Sequence, residues 1–223
     1  MRFILVIIAH FSPNKFARIP MMKKIVLILT AIAAVYCFVS FQTQEQKEKA
    51  QALIIDAYQG DLLAVKNGVE AGAPLDLELY IQDEDRQYRG VWFNALHAAA
   101  SGGNEDIVLF LLEENFDINA VTPNEGWTPL MIATRDGRTD AAKLLIYRGA
   151  DLNAQSSLGA TALTFTVTQP FPSEAERLSL VTYLLNHGAD PDLQDSFGHT
   201  PLYYAQQFGK KEIVKALQDY GVR

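Results

Sequence analysis

What this chain has little of narrows its chemistry before any motif is read. Its 223 residues include one cysteine, Cys37, so no disulfide can close within it. The four histidines, His10, His97, His187 and His199, form no ligand pair. There is no phosphate-binding glycine loop, no nucleophile motif and no cysteine–histidine set. Asp83, Glu84 and Asp85 are an acidic run without the glycine-spaced ligands of a calcium loop, and read as a solvated insertion. Neither metal nor cofactor is expected, and the chain reads as a non-enzyme. Basic charge is also scarce where it would matter. The formal net charge is −7, but the first 46 residues hold five Lys or Arg and a single acid, Glu45. The remainder then carries 14 basic against 25 acidic groups, about −11, which repels phosphate. No nucleic-acid partner is expected. Lys210, Lys211 and Lys215 cluster near the end and read as solvated charges that suit a helix dipole.

What is present begins with an apolar run. Ile25 to Phe41 (IVLILTAIAAVYCFVSF) carries no charge, follows Lys23 and Lys24, and leads into the polar QTQEQKEK. This predicts a hydrophobic targeting helix within residues 1–46, as a cleaved secretory signal or as a retained membrane anchor. The methionine pair Met21-Met22 allows translation to start at Met22, where MKKIVLILTAIAAVYCFVSFQ has the layout of a bacterial secretory signal. Ala34-Val35-Tyr36-Cys37 is a faint lipidation pattern that Tyr36 opposes, since the residue before a lipidated cysteine is small. Both targeting readings put the rest of the chain outside the cytoplasm, periplasmic or anchored to an inner membrane through residues 25–41.

The remainder, residues 47–223, repeats itself. GWTPLMIATRDG from Gly126, GATALTFT from Gly159 and GHTPLYYAQQFG from Gly198 are three strong copies of one phrase. NALHAAASGG from Asn94 and QALIIDAYQG from Gln51 are weaker ones. The steps from Asn94 to Thr128 and from Thr128 to Thr161 are 34 and 33 residues, the period of a helical-pair solenoid. Thr128 and Thr200 sit where an N-cap hydroxyl accepts an orphan N–H, and Pro129 and Pro201 follow at the first helical position. Leu130, Ala133 and Thr134 make an apolar and small stripe, and Gly137 ends that helix. A second helix shows paired apolar positions, Ile107, Val108, Leu111 and Leu112 in one copy, Leu180, Val181, Leu184 and Leu185 in another. Gly149-Ala150-Asp151 and Gly188-Ala189-Asp190 end it with a left-handed cap and a turn.

These residues resemble the ankyrin repeat, G-x-T-P-L-H-x-A-A-x-x-G, then I-V-x-x-L-L, then G-A-D-x-N. The resemblance runs from about Glu48 to Arg223 and implies an all-α solenoid of about five helix-turn-helix units with hairpin loops. The units fall at about 48–76, 91–120, 126–154, 159–192 and 198–223. Two insertions depart from the pattern: Leu77 to Phe93, and Gln169 to Pro172, after which Ser173 and Glu176 predict a capping box. His97 falls on the family's structural histidine, and His187 is placed to meet a helix C-terminus.

The resemblance also implies where binding would occur, because hairpin tips and the exposed sides of the first helices line one concave face. The hairpin positions are Phe93, Trp127, Ala160 and His199, flanked by Trp92, Asn124, Glu125, Leu158 and Phe197. The first helices add Tyr58, Arg135, Asp136, Gln207 and Phe208. Aromatics beside carboxylates have the composition of an interaction surface. The expected function is a monomeric protein-binding scaffold outside the cytoplasm. The alternative is an accessory or immunity-type protein that supports or neutralises a periplasmic enzyme or toxin.

Overall fold

The computed structural model describes residues 43–75, 77, 79–81 and 91–221. The apolar run 25–41, Cys37 and the acidic run Asp83 to Asp85 lie outside the described residues. The chain divides into two compact units, Met1–Lys47 and Glu48–Arg223. Residues 43–47 of the first are helical.

The second unit is a succession of five helix pairs. α1 covers residues 48–59 of the unit, and α2 is Leu62–Glu70. Then come α3 (Ala95–Gly102) with α4 (Glu105–Glu113), α5 (Pro129–Arg135) with α6 (Thr139–Tyr147), and α7 (Ala162–Thr168) with α8 (Glu174–Asn186). α9 (Pro201–Gln207) and α10 (Lys211–Asp219) complete the stack. First helices pack on first helices, α3 on α5, α5 on α7 and α7 on α9, and the second helices do the same.

α5 and α9 start at the caps that the sequence predicts, Thr128 and Thr200, and α7 uses the same device. The Thr128, Thr161 and Thr200 hydroxyls accept from the N–H groups of Met131, Thr164 and Tyr203 at 3.2, 3.2 and 3.3 Å. Asn94 does the same for His97. Second helices open differently. Asn104, Arg138 and Lys210 occupy their N-cap positions without a side-chain cap bond. Asn104 Nδ2 instead donates to the Ala57 and Tyr58 carbonyls at 2.7 and 3.0 Å, and Arg138 Nε to the Ser101 carbonyl at 2.8 Å. They satisfy carbonyls that the end of the preceding pair's first helix leaves unbonded. Ser173 Oγ accepts from the Glu176 N–H at 3.1 Å, one half of the expected capping box; the Glu176 side chain is turned to solvent.

The long insertion adds the strands of this unit among the described residues. β1 (Leu79–Ile81) pairs antiparallel with β2 (Val91–Phe93), with Leu79 opposite Phe93 and Ile81 opposite Val91. Their β-branched and aromatic residues suit an extended pair, so the insertion lengthens one inter-repeat hairpin and leaves the helical stack intact.

The core is two rows of leucine. Leu53, Leu96, Leu130, Leu163 and Leu202 line the first helices, and Leu111, Leu145, Leu184 and Leu217 the second, all buried. Truncating such a leucine to alanine typically costs about 2–5 kcal/mol. Ala57, Ala99, Ala133 and Ala205 between them let the first helices approach closely.

Adjacent hairpins are joined by main-chain bonds, from Ser157 N–H to the Glu125 carbonyl (2.8 Å) and from Ser196 N–H to the Leu158 carbonyl (2.9 Å). Gly159 lies in that seam with φ +76°, and a Cβ there would sit 2.9 Å from both Asp195 Cα and Ser196 N. Gly198 holds the same place in the last hairpin, at φ +77°, with nothing within 4 Å. A side chain in the left-handed region costs about 1–2 kcal/mol at either site. Gly159→Ala is therefore expected to lose about 1–3 kcal/mol more than Gly198→Ala in urea unfolding, the excess measuring the main-chain clash. Equal losses would mean that the seam is not closed at Gly159.

Candidate protein-binding face

The concave positions divide into a group that is tied into the stack and a group that is open. Trp127 is half-buried. Its ring meets Phe165 edge-on at 5.9 Å, and the Arg135 guanidinium lies over it at 4.6 Å. Arg135 also grips its neighbour Asp136 through Nε and Nη2 at 2.8 and 3.0 Å, and Asp136 accepts from Ser101 Oγ at 2.6 Å. Trp127, Arg135 and Asp136 thus cross-link three successive repeats. Phe93 is similar: it is half-buried against the core and stacks on His97 at 6.1 Å. Glu125 is half-buried, accepts from Thr122 Oγ1 at 3.3 Å, and lends its carbonyl to the hairpin seam; Asn124 is exposed beside it.

The open group lies at the last two hairpins and the last first helix. Leu158 is 60% exposed, Phe197 69% and Phe208 54%, with Gln207 exposed as well. Phe197 faces His199 at 6.4 Å, His199 stacks flat on Tyr203 at 3.9 Å and 9°, and Phe208 lies along Tyr204 at 6.1 Å. Tyr204 meets both His199 and Tyr203 edge-on, so the rings are continuous. Asp195 fixes this platform from below: Oδ1 accepts from the Phe197 and His199 N–H groups, and Oδ2 from the Tyr204 hydroxyl at 2.5 Å. Burial works to raise the Asp195 carboxyl, but these bonds win and hold it below the usual carboxylate range. The same bond, with burial, pushes Tyr204 up to about 12. Asp195 therefore stays charged and Tyr204 neutral at physiological pH.

Tyr203 and Tyr204 are absent from the sequence-derived set, though a signal for Tyr203 existed. It occupies the register of His97, Met131 and Thr164, which the following repeat buries. In the fifth repeat it is 38% exposed and is met among the described residues by the His199 and Tyr204 rings.

The histidines are structural where they are buried. His97 is fully buried; Nε2 lies 3.0 and 3.2 Å from the Ala120 and Trp127 carbonyls, and Nδ1 is 3.4 Å from the Asn94 N–H. Nε2 therefore donates and Nδ1 accepts, which requires a neutral ring. Burial lowers it to about 4, outweighing the two carbonyls, which would raise it. His187, on the C-cap of α8, places Nδ1 2.8 Å from the Tyr183 carbonyl, as its helix-end position predicts.

Two predictions follow from this division. Trp127→Ala should cost about 1–3 kcal/mol in urea unfolding, because it removes an inter-repeat contact, whereas Phe197→Ala should stay within about 0.5 kcal/mol. A reversed order would exchange the two groups. The unfolded imidazole of His97 binds its proton near pH 6.5 and the folded one only near 4. Between those values the unfolded chain holds more protons, so stability falls as pH drops, by about 2 kcal/mol from pH 7.5 to 5. His97→Gln should remove that part of the pH dependence; an unchanged pH profile would show that another group carries it.

Comparison with known proteins agrees with this geometry. A family model described as ankyrin repeats (3 copies) matches residues 53–156 and 171–223. The murine B-cell lymphoma 3 protein homolog is 37% identical over 132 residues, which are 59% of this chain and 28% of that protein. The human ankyrin repeat and SOCS box protein 3 is 40% identical over 121 residues, 54% of this chain and 22% of its own length. An ankyrin repeat-containing protein of Treponema pallidum is 29% identical over 113 residues, 51% of this chain and 36% of its own length. The chain thus spans well under half the length of these relatives, and what it shares with them is the repeat array. With the caps, leucine rows and hairpin seam described above, the match leaves one assignment: the chain belongs to the ankyrin repeat family.

Proposed function

We propose that this chain is a non-enzymatic scaffold that binds a protein partner outside the cytoplasm, using the hairpin tips and first-helix ends in the C-terminal half of the stack. Ankyrin repeats are in general protein-interaction modules, and the observation that carries the reading here is the exposure of Leu158, Phe197 and Phe208 on adjoining elements. Large apolar side chains clustered on a surface, rimmed by polar groups, mark interaction sites. A monomer is supported by Gln206 and Gln218, which are exposed at the end of the stack in registers where the preceding repeats bury Thr134 and Ile146.

The location outside the cytoplasm rests on residues 25–41 and their lysine flank. The described residues contain no helix long and apolar enough to cross a membrane.

The test has two arms. A photo-crosslinking residue placed at 158, 197 or 208 should trap one protein partner, identified by mass spectrometry, while the same residue at exposed position 147 on α6 should not. Crosslinks concentrated at 147 would move the interface to the second helices. Alkaline phosphatase fused after Arg223 should be active in a bacterial host and inactive when residues 1–41 are removed. Activity without them would end the export reading; starting at Met22 should change nothing.

A further inference from the structure

We propose that the aromatic platform at the end of the stack docks an arginine-bearing, extended segment of its partner protein. The inference rests on the protein-binding reading above and adds the chemistry of what is bound.

Charge on this part of the molecule has one sign. From Gly149 to Gly209 the chain carries six carboxylates: Asp151, Glu174, Glu176, Asp190, Asp192 and Asp195. The same stretch has one Lys or Arg, Arg177, which is buried. Its Nη1 lies against the Thr166, Val167 and Gln169 carbonyls, and its Nε against Glu174. Of the cations that flank the stretch, Lys210 is held by Glu174 at 3.1 Å, and Arg148 is exposed at its start. Four of the six acids, Asp151, Asp190, Asp192 and Asp195, belong to the segments between helix pairs, and Asp195 is bonded directly to the ring-bearing residues Phe197, His199 and Tyr204. An anionic occupant, whether nucleic acid or lipid headgroup, would be repelled.

The hydrogen-bonding character of the platform points the same way. The Tyr204 hydroxyl gives its only proton to Asp195, so His199 Nδ1, 3.4 Å from that oxygen, is the donor of the pair. The platform offers the outer faces and edges of the Phe197–His199–Tyr203 stack, with the Asp195 carboxylate beside it. A guanidinium answers both the rings and the negative charge, because it is planar, stacks on aromatic rings and is cationic. A lysine ammonium answers only the charge. The rings Phe197, His199 and Tyr203 succeed one another along a line, which suits an extended chain laid across them.

The experiment uses the full chain in a neutral detergent and fluorescent peptides of equal length in which arginine, lysine, glutamine or glutamate alternates with glycine and proline, read by anisotropy at physiological salt. The arginine peptide should bind saturably, the lysine peptide several-fold more weakly, and the glutamine and glutamate peptides more weakly by roughly tenfold or beyond. Phe197→Ala combined with Tyr203→Ala should weaken the arginine peptide by roughly tenfold with an unchanged thermal midpoint. Raising the salt should weaken the arginine peptide several-fold and leave the glutamine peptide unmoved, because only the charged one loses an attraction to screening. Tyr147→Ala should leave it unchanged. Absence of saturable binding by the arginine peptide overturns the proposal, as does binding that ignores the ring variants. A glutamine peptide that binds as tightly as the arginine one, and is lost in the ring variants, removes the cationic partner while leaving the protein-binding face. A natural partner crosslinked at 158, 197 or 208 through a segment without Lys or Arg does the same. Crosslinks confined to 147 would instead remove the face itself.

Discussion

Helices of seven residues, such as α5, α7 and α9, are too short to persist in water alone, and a single pair has no interior in which to bury its leucines. Each pair in this chain exists because the next one covers it. Leu96, Leu130, Leu163 and Leu202 form one continuous row, so the apolar side that one repeat leaves open is the surface against which its successor packs. Spacing, polar bonds and the place of the binding face all descend from that mutual covering.

Hydrophobic burial alone does not fix register, since one leucine row would slide along another at little cost. Polar contacts between repeats supply the positions. Arg138 finds a carbonyl at the end of α3, Asn104 two at the end of α1, and Ser157 and Ser196 bind carbonyls of the preceding hairpins. On the far side of the hairpins, Asn119 Oδ1 accepts from the Asp151 N–H and Asn153 Oδ1 from the Asp190 N–H, at 2.9 and 2.8 Å. A shift of one residue would leave the part-buried Asn104 and Arg138 bonds unmade, each costing about 1–3 kcal/mol, while the exposed hairpin bonds would pass to water at smaller cost. The 33- and 34-residue steps are therefore held at the main chain as well as in the core.

That division explains what the sequence reveals and what it hides. Caps, leucine rows and terminal glycines are local devices with fixed spacing, so Thr128, Pro129, Leu130 and Gly137 can be placed without coordinates. The fate of an aromatic between two repeats is not local. Trp127 and Phe197 both occupy hairpins on the concave side, yet Trp127 meets Phe165 and Arg135 while Phe197 is open. Nothing in GWTPL or FGHTP states which neighbour will be present. Likewise Arg135 and Asp136 read as exposed partner-binding charges from their own helix, and only the reach to Ser101 in the preceding repeat shows them bound within the fold. Tyr203 escaped notice for the complementary reason: its register is an interior one in every repeat except the last.

The last repeat turns that exception into a surface. In the interior, the register of Tyr203 is filled by His97, Met131 and Thr164, and the following hairpin closes over it; His97 spends its Nε2 on carbonyls of that hairpin. With no sixth repeat among the described residues, the equivalent ring is left open and His199 from its own hairpin stacks on it instead. Two responses to the same exposure then coexist on one end of the molecule. Gln206 and Gln218 make most of the end face polar, whereas Phe197, Tyr203 and Phe208 keep its hairpin side apolar. Solubility accounts for the glutamines and would have been served equally well by polar residues at the other three positions. The exposed rings are thus the part of the fifth repeat that neither the helical core nor a polar surface requires, and the proposed recognition rests on them.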